Sequence, residues 1–411
     1  MWSRVMCLAY AHRMVKTRHF CFAASLALLA LTISLTPAFG ALDDGYPQDS
    51  PAPGRTCPNA VAGYETVSTF NGKTFVCTVI EGVQKWWIKG DPLPSPAPTS
   101  NGNSGGVTTA PTNIVITNFY VLPASSLAKM KVFENVAYAT QSPEQRVDIY
   151  LPKGVKNPPL MIWTHGGGFV FGDEDGMKFD YEAKMLEEFI KNGIAVASVN
   201  YRLAQMAPFP ASGQDAKLAI RFLRANAAQY GFNPKKFATG GGSAGAYLAL
   251  MGAFTANQSS VFDTPDDPNL KTSAAVSAVF DLFGNANFIT MSANKVKYPC
   301  TDKTDFAYGS DPYGSWFGDV RLPALRPAID SANLYPFLKG LKVIPRVYIF
   351  HGTADCSVSK YDSIELAKEV TKAKGKSYLF LVPGGTHGGA SVMAEAKKRI
   401  PELAKYFASL K

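Results

Sequence analysis

Gly240-Gly241-Gly242-Ser243-Ala244-Gly245-Ala246 is the stretch on which the fold turns. Within it, residues 241–245 fit the pattern G-x-S-x-G. The short run Lys236-Phe237-Ala238-Thr239 leads in, and the apolar run Tyr247-Leu248-Ala249-Leu250-Met251 follows. That context reads as a strand, a sharp turn holding the serine in a strained conformation, then a helix. Glycines flank the serine because neighbouring backbone passes too close to leave room for a Cβ. The following helix aims its first N–H groups at any negative charge forming beside Ser243. A Gly-rich loop with a chance serine would fit seven residues equally well, so the rest of the chain has to decide.

Working outward, strands alternate with helical runs from about residue 114. Strands are expected at 133–139, 146–151, 160–164, 194–200, 274–280, 346–350 and 378–382. The clearest helix is 212–230, where Ala216, Ile220, Leu223, Ala227 and Tyr230 recur at spacings of 4, 3, 4 and 3 along one face. Ser212 with Asp215 reads as its cap, and Gly231 closes it. Several strands are continuous apolar runs, as expected when helices cover both faces of a mostly parallel sheet. The fold class is therefore α/β. Residues 284–342, rich in Asn, Tyr, Asp and Pro, interrupt the alternation and read as a lid or wall beside a site.

A serine hydroxyl is a poor nucleophile at neutral pH. It needs a base, an orienter for that base, and donors for the oxyanion. Only five histidines are present, which permits elimination. His12 and His19 fall in an N-terminal leader, His165 precedes three glycines, and His351 sits between a strand and Gly352. That leaves His387, in a Gly-rich loop directly after the strand 378–382, as the base. The acid should lie between serine and histidine in chain order. Asp355, in His351-Gly352-Thr353-Ala354-Asp355, is favoured, and Asp281 at the end of an earlier strand is the rival. The oxyanion donors are expected from His165-Gly166-Gly167-Gly168-Phe169: the N–H groups of Gly167 and Gly168, together with that of Ala244. His165 and Gly166 then support the loop.

With these pieces in place, the segment 160–250 resembles the hormone-sensitive-lipase-like and carboxylesterase branch of the α/β-hydrolases. The matching residues are His165-Gly166-Gly167-Gly168-Phe169, Asn200-Tyr201-Arg202-Leu203, Phe209-Pro210-Ala211, Asp215-Ala216 and Gly242-Ser243-Ala244-Gly245. The ends Gly352-Thr353-Ala354-Asp355 and Gly385-Thr386-His387-Gly388 extend the match over most of 114–411. The resemblance implies an α/β-hydrolase fold and ester hydrolysis through an acyl-serine intermediate, without cofactor or metal. Two departures stand out. Gly242 replaces the acidic residue that often precedes the serine in lipase-like members, closer to feruloyl and acetylxylan esterase-like relatives, and Ala246 replaces a common glycine.

The N-terminal portion reads differently. Arg13, Lys16 and Arg18 precede an apolar run at 20–35, and Ala38-Phe39-Gly40 offers small residues for cleavage, so 1–40 reads as a signal peptide and export to a secreted or periplasmic location follows. An uncleaved anchor is the alternative, although the apolar run is short for a span. The leader carries four Lys/Arg and no Asp/Glu, so its removal lowers the net charge from +9 to +5. With no basic run, nothing points to nucleic acid. Residues 41–91 read as a small β module with a hairpin at Asn71-Gly72, stapled by a Cys57–Cys77 disulfide worth roughly 2–4 kcal/mol. Trp86 and Trp87 are adjacent, so one could stack on a sugar face. Residues 92–113 form a Pro/Ser/Gly linker, and 114–411 the catalytic domain. Cys300 and Cys356 are the other expected pair. Together these features describe an exported serine esterase acting on small or polymer-linked esters. A lipase, a peptidase-like relative, and a non-catalytic carbohydrate-binding protein that keeps the fold remain the alternatives.

Overall fold

The computed structural model describes residues 120–299, 316–317 and 322–411, with side chains from 326 onward in the last stretch, and the backbone of three short strands between 65 and 88. The leader, the linker, Cys57, Cys300 and the side chains of Cys77, Trp86 and Trp87 lie outside the described residues. The chain divides into two compact units, Met1–Val107 and Thr108–Lys411. In the first, β1 (Glu65–Val67), β2 (Thr74–Ile80) and β3 (Val83–Ile88) form an antiparallel sheet in that order, with Cys77 opposite Trp86 across β2 and β3.

The second unit begins with α1 (Ala124–Leu127), β4 (Met130–Ala137), β5 (Arg146–Pro152) and β6 (Leu160–Thr164). Next come α2 (Asp180–Lys191), β7 (Ala195–Val199), α3 (Ala211–Ala225) and α4 (Ala227–Tyr230). β8 (Phe237–Gly242), α5 (Ala244–Thr255) and β9 (Ala278–Leu282) follow. The insertion contributes α6 (Phe288–Lys297), α7 (Leu322–Ser331) and α8 (Tyr335–Leu338). β10 (Arg346–Gly352), α9 (Lys360–Lys372), β11 (Ser377–Val382) and α10 (Ala390–Ser409) complete the unit. The strands form one eight-stranded sheet in the order β11-β10-β9-β8-β6-β7-β5-β4, parallel from β11 through β7 and antiparallel at β5 and β4.

The central strands are wholly buried because both faces are covered. Alternation along β6 shows how. Met161 and Trp163 pack with Leu186 and Phe189 of α2 and Ile400 and Leu403 of α10, whereas Leu160 and Ile162 pack with Ile220 and Leu223 of α3. α5 is apolar all round, and every one of its residues is buried. Among the described residues, no helix is long and apolar enough to cross a membrane.

Three local expectations need correction. The helix expected over 212–230 breaks at Asn226 into α3 and α4, although Gly231, at φ +91°, does close the second piece. Ser212 is not the cap. It lies inside α3, and its hydroxyl accepts from Trp316 Nε1 at 2.8 Å, while Asp215 is taken by Arg202 and Gln145. The strand expected at 274–280 lies instead at Ala278–Leu282, because Asp281 is buried inside it rather than marking its end.

Candidate active site

Four parallel strands, β6, β8, β10 and β11, deliver their following loops to one edge of the sheet. His165 follows β6, Ser243 follows β8, Asp355 follows β10, and His387 follows β11.

Ser243 adopts φ +55° and ψ −118°, a conformation costing about 1–3 kcal/mol. Its surroundings enforce it. The Ser243 N–H donates to Leu282 O at 2.9 Å, and its carbonyl accepts from Tyr247 N–H at 3.1 Å. A Cβ on Gly245 would lie 2.0 Å from Thr164 O and 2.4 Å from His165 O, both backbone. On Gly242 the nearest obstacle is the tip of the Phe283 ring, at 3.0 Å. A ring tip can swing aside and a strand-end carbonyl cannot. Gly245→Ala should therefore lower unfolding free energy by about 3 kcal/mol or more, and Gly242→Ala by about 1 kcal/mol. Urea midpoints check the pair, and equal losses would contradict the difference in what each methyl meets.

The glycine loop after β6 approaches from the other side. A Cβ on Gly166 would sit 3.0 Å from Gly242 O and 3.8 Å from Ser243 Cβ. Gly167 and Gly168 then turn at φ +112° and +58°. Ala244 opens α5, so its N–H has no acceptor within the helix. The buried His165 braces this loop. Its Nδ1 lies 2.8 Å from Gly166 O, its Nε2 3.3 Å from Asn200 Oδ1, and its ring stacks on Tyr201 at 4.2 Å. Burial pulls its pKa down. Tyr201 OH donates back to His165 O at 2.9 Å, and Arg202 makes a bidentate pair with buried Asp215. The Asn200-Tyr201-Arg202 stretch thus ties the glycine loop to α3.

Asp355 and His387 meet. His387 Nδ1 lies 2.8 Å from Asp355 Oδ2, with the Asp355 side chain fully buried and that of His387 8% exposed. Asp355 Oδ1 accepts from the amides of Ser357 and Val358, each at 2.9 Å. Burial opposes ionisation of Asp355, yet the adjoining His387 and His351 outweigh it and hold the carboxyl well below the usual carboxylate range. The rival Asp281 is differently placed. Its Oδ1 accepts from Gly284 N–H at 3.1 Å, Oδ2 is buried without a partner, and burial pushes the carboxyl up to about 7. Cys356 lies next to Asp355, and Cys300, its expected partner, lies outside the described residues.

One residue at this edge was not legible in the sequence. β9 separates the strand leading to the serine from the strand leading to the acid, a gap of roughly 10 Å at ordinary strand spacing. Phe283 leaves β9 at φ +46°, is 5% exposed, and fills that gap. Its ring packs edge-to-face on His387 at 4.7 Å and reaches the space beside Gly242. The departure at Gly242 thereby acquires a reason: a side chain there would compete with Phe283. Among the described residues, no cluster of His, Cys, Asp and Glu is arranged to hold a metal ion.

A family model described as BD-FAE matches residues 147–370, more than half of the chain. The chain belongs to the BD-FAE family. Among curated proteins, this BD-FAE chain is 26% identical to the "Probable isoprenylcysteine alpha-carbonyl methylesterase ICMEL1" of Oryza sativa subsp. japonica, over 62% of its own length and 57% of that relative. The match to the protein of the same name from Arabidopsis thaliana is 25% identical over 51% of that relative, so the chain spans little more than half the length of these relatives. Among solved structures, the BD-FAE chain is 27% identical to "Truncated form of carbohydrate esterase from gut microbiota", with a TM-score of 0.56 over 67% of this chain and 96% of that one. The "Bifunctional GH43-CE" of Bacteroides eggerthii aligns at 25% identity and a TM-score of 0.55, over 68% of this chain and 35% of that one. The α/β-hydrolase fold that the resemblance implies is the fold observed.

Proposed function

We propose that this chain is a serine-dependent carboxylic ester hydrolase acting on short-chain or polysaccharide-linked acyl esters. The observation that carries the reading is the hydrogen bond between His387 Nδ1 and Asp355 Oδ2, at the sheet edge where Ser243 is held in a strained turn. Ser243 Oγ attacks the ester carbonyl while His387 Nε2 takes the hydroxyl proton, which it later returns to the departing alcohol. Asp355 fixes the Nδ1–H tautomer and stabilises the imidazolium that forms. The N–H groups of Gly167, Gly168 and Ala244 receive the oxyanion. Water then attacks the acyl-serine by the same route, with His387 as base, and the acid is released.

The names of the methylesterase relatives and of the carbohydrate-esterase neighbour support an ester substrate, and the latter favours a sugar-linked one. Export through the leader and a Cys300–Cys356 disulfide beside the acid belong to the same reading, as do the Cys57–Cys77 staple and polysaccharide contact through Trp86 or Trp87. The test is turnover of acetyl, butyryl, octanoyl and feruloyl esters, with acid quenching and mass analysis of the Ser243 peptide. Acetyl ester turnover with an acyl adduct on Ser243 is expected. Absence of turnover on all four esters would sink the proposal.

A further inference from the structure

We propose that His351, set aside when the histidines are read one by one, is a positioning residue that shares the Asp355 carboxylate with His387 and fixes it for proton transfer. The inference rests on the hydrolase reading above. His351 is the penultimate residue of β10, four residues before Asp355, and the turn 352–355 brings the carboxylate back to its Nε2. His351 is wholly buried, and both ring nitrogens have partners. Nε2 lies 2.9 Å from Val358 O and 3.3 Å from Asp355 Oδ2, while Nδ1 lies 2.7 Å from Ser363 Oγ. A carbonyl and a carboxylate can only accept, so Nε2 carries the proton and Nδ1 faces the hydroxyl, which can donate to it.

Asp355 is thereby surrounded by donors. Oδ1 takes the Ser357 and Val358 amides, and Oδ2 takes one imidazole N–H from each side. Val358 closes the arrangement, since its N–H donates to Asp355 and its carbonyl accepts from His351. Without His351, Oδ2 would be held from the His387 side alone. The carboxylate could then pivot about its amide-bound Oδ1, and His387 would turn with it. The charge balance would change as well. His351 takes up part of the negative charge on Oδ2, so removing it leaves more of that charge acting on His387.

The other ionisable groups facing His351 are Asp281 on β9 and Asp362 on α9. Burial raises Asp281 to about 7 and Asp362 to about 6, with His351 opposing the shift in both. Burial alone would keep His351 neutral, but its bond to Asp355 and the charge there outweigh it and raise its pKa.

The experiment compares His351→Leu, which removes the donor, with His351→Gln, whose amide nitrogen can stand where Nε2 stood. For p-nitrophenyl acetate, His351→Leu should lower kcat about 10-fold or more with KM little changed. The acid limb of its kcat/KM profile should move up by about half a pH unit or more. His351→Gln should regain most of kcat. A Leu variant with an unshifted acid limb, or one whose lost kcat Gln does not restore, would leave His351 a packing residue and overturn the proposal. Should the Leu variant not fold, nitrogen-15 NMR of the unmutated protein decides. A neutral His351 protonated at Nδ1 could not donate to Asp355 and would refute the inference, whereas an Nε2–H supports it. None of these outcomes bears on the hydrolase reading, which stands or falls with Ser243.

Discussion

Ser243→Ala is expected to reduce kcat for p-nitrophenyl acetate by about 10⁶-fold, to the level that oxyanion donors and binding alone support. The change removes one oxygen atom and little else. The Ser243 N–H bond to Leu282 O and the Tyr247 N–H bond to its carbonyl are backbone interactions that alanine keeps. The turn stays at φ +55°, equally strained for either side chain. Melting temperature should therefore stay within about 2 °C of the parent, since no packing or buried hydrogen bond is lost. A folded Ser243→Ala protein that still turned over acetyl esters at more than a hundredth of the parent rate would dismiss serine as the nucleophile. It would also dismiss the acyl-enzyme, whatever the family resemblance suggests.

Asp355→Asn should cost about 10⁴-fold in kcat, and it should cost stability too. The carboxylate sits among four donors: two amides and two imidazoles. A carboxamide brings two N–H groups of its own into that shell, so wherever it turns, donor faces donor. One buried N–H left unpaired costs about 1–3 kcal/mol. The pH dependence of stability follows from the same shell. Asp355 is held below its ordinary value in the folded state, so its contribution is fully present above the unfolded carboxyl pKa, about 3.9. It is lost as pH falls through the lower folded value. The parent should accordingly lose melting temperature more steeply than Asp355→Asn below about pH 4. Parallel curves for the two proteins would show that the carboxylate is not held as described.

Much of this was legible in the residues because the chemistry is local. Gly245 has to be glycine for the same reason the sequence pattern requires it, a carbonyl 2.0 Å from where a Cβ would stand. The mostly apolar runs of β6, β7 and β10 announce a covered parallel sheet, and a parallel sheet gathers its loop residues at one edge. What stayed hidden depends on contacts between distant segments. Ser212 looks like a cap until Trp316, more than a hundred residues away, takes its hydroxyl. Phe283 reads as one more apolar residue after a strand, and only the sheet order shows that its strand lies between serine and acid. His351 seems idle because four residues along an extended chain would carry Asp355 away from it. The turn at Gly352 reverses that direction.

Three consecutive strand residues without side chains, Gly240 to Gly242, have a consequence for how such a site adapts. The Met161 sulfur, the Phe280 Cβ and the Trp163 ring, all on the flanking strands, each lie 3.1 Å from where a Cβ on Gly240 would stand. The support beneath the Ser243 hydroxyl is accordingly a stiff anvil with no play in it. An oxygen that cannot travel has a fixed reach, so different esters must be brought to it by reshaping what surrounds it. Variation in taste for acyl groups should then accumulate in the helices between β9 and β10, leaving the anvil itself untouched.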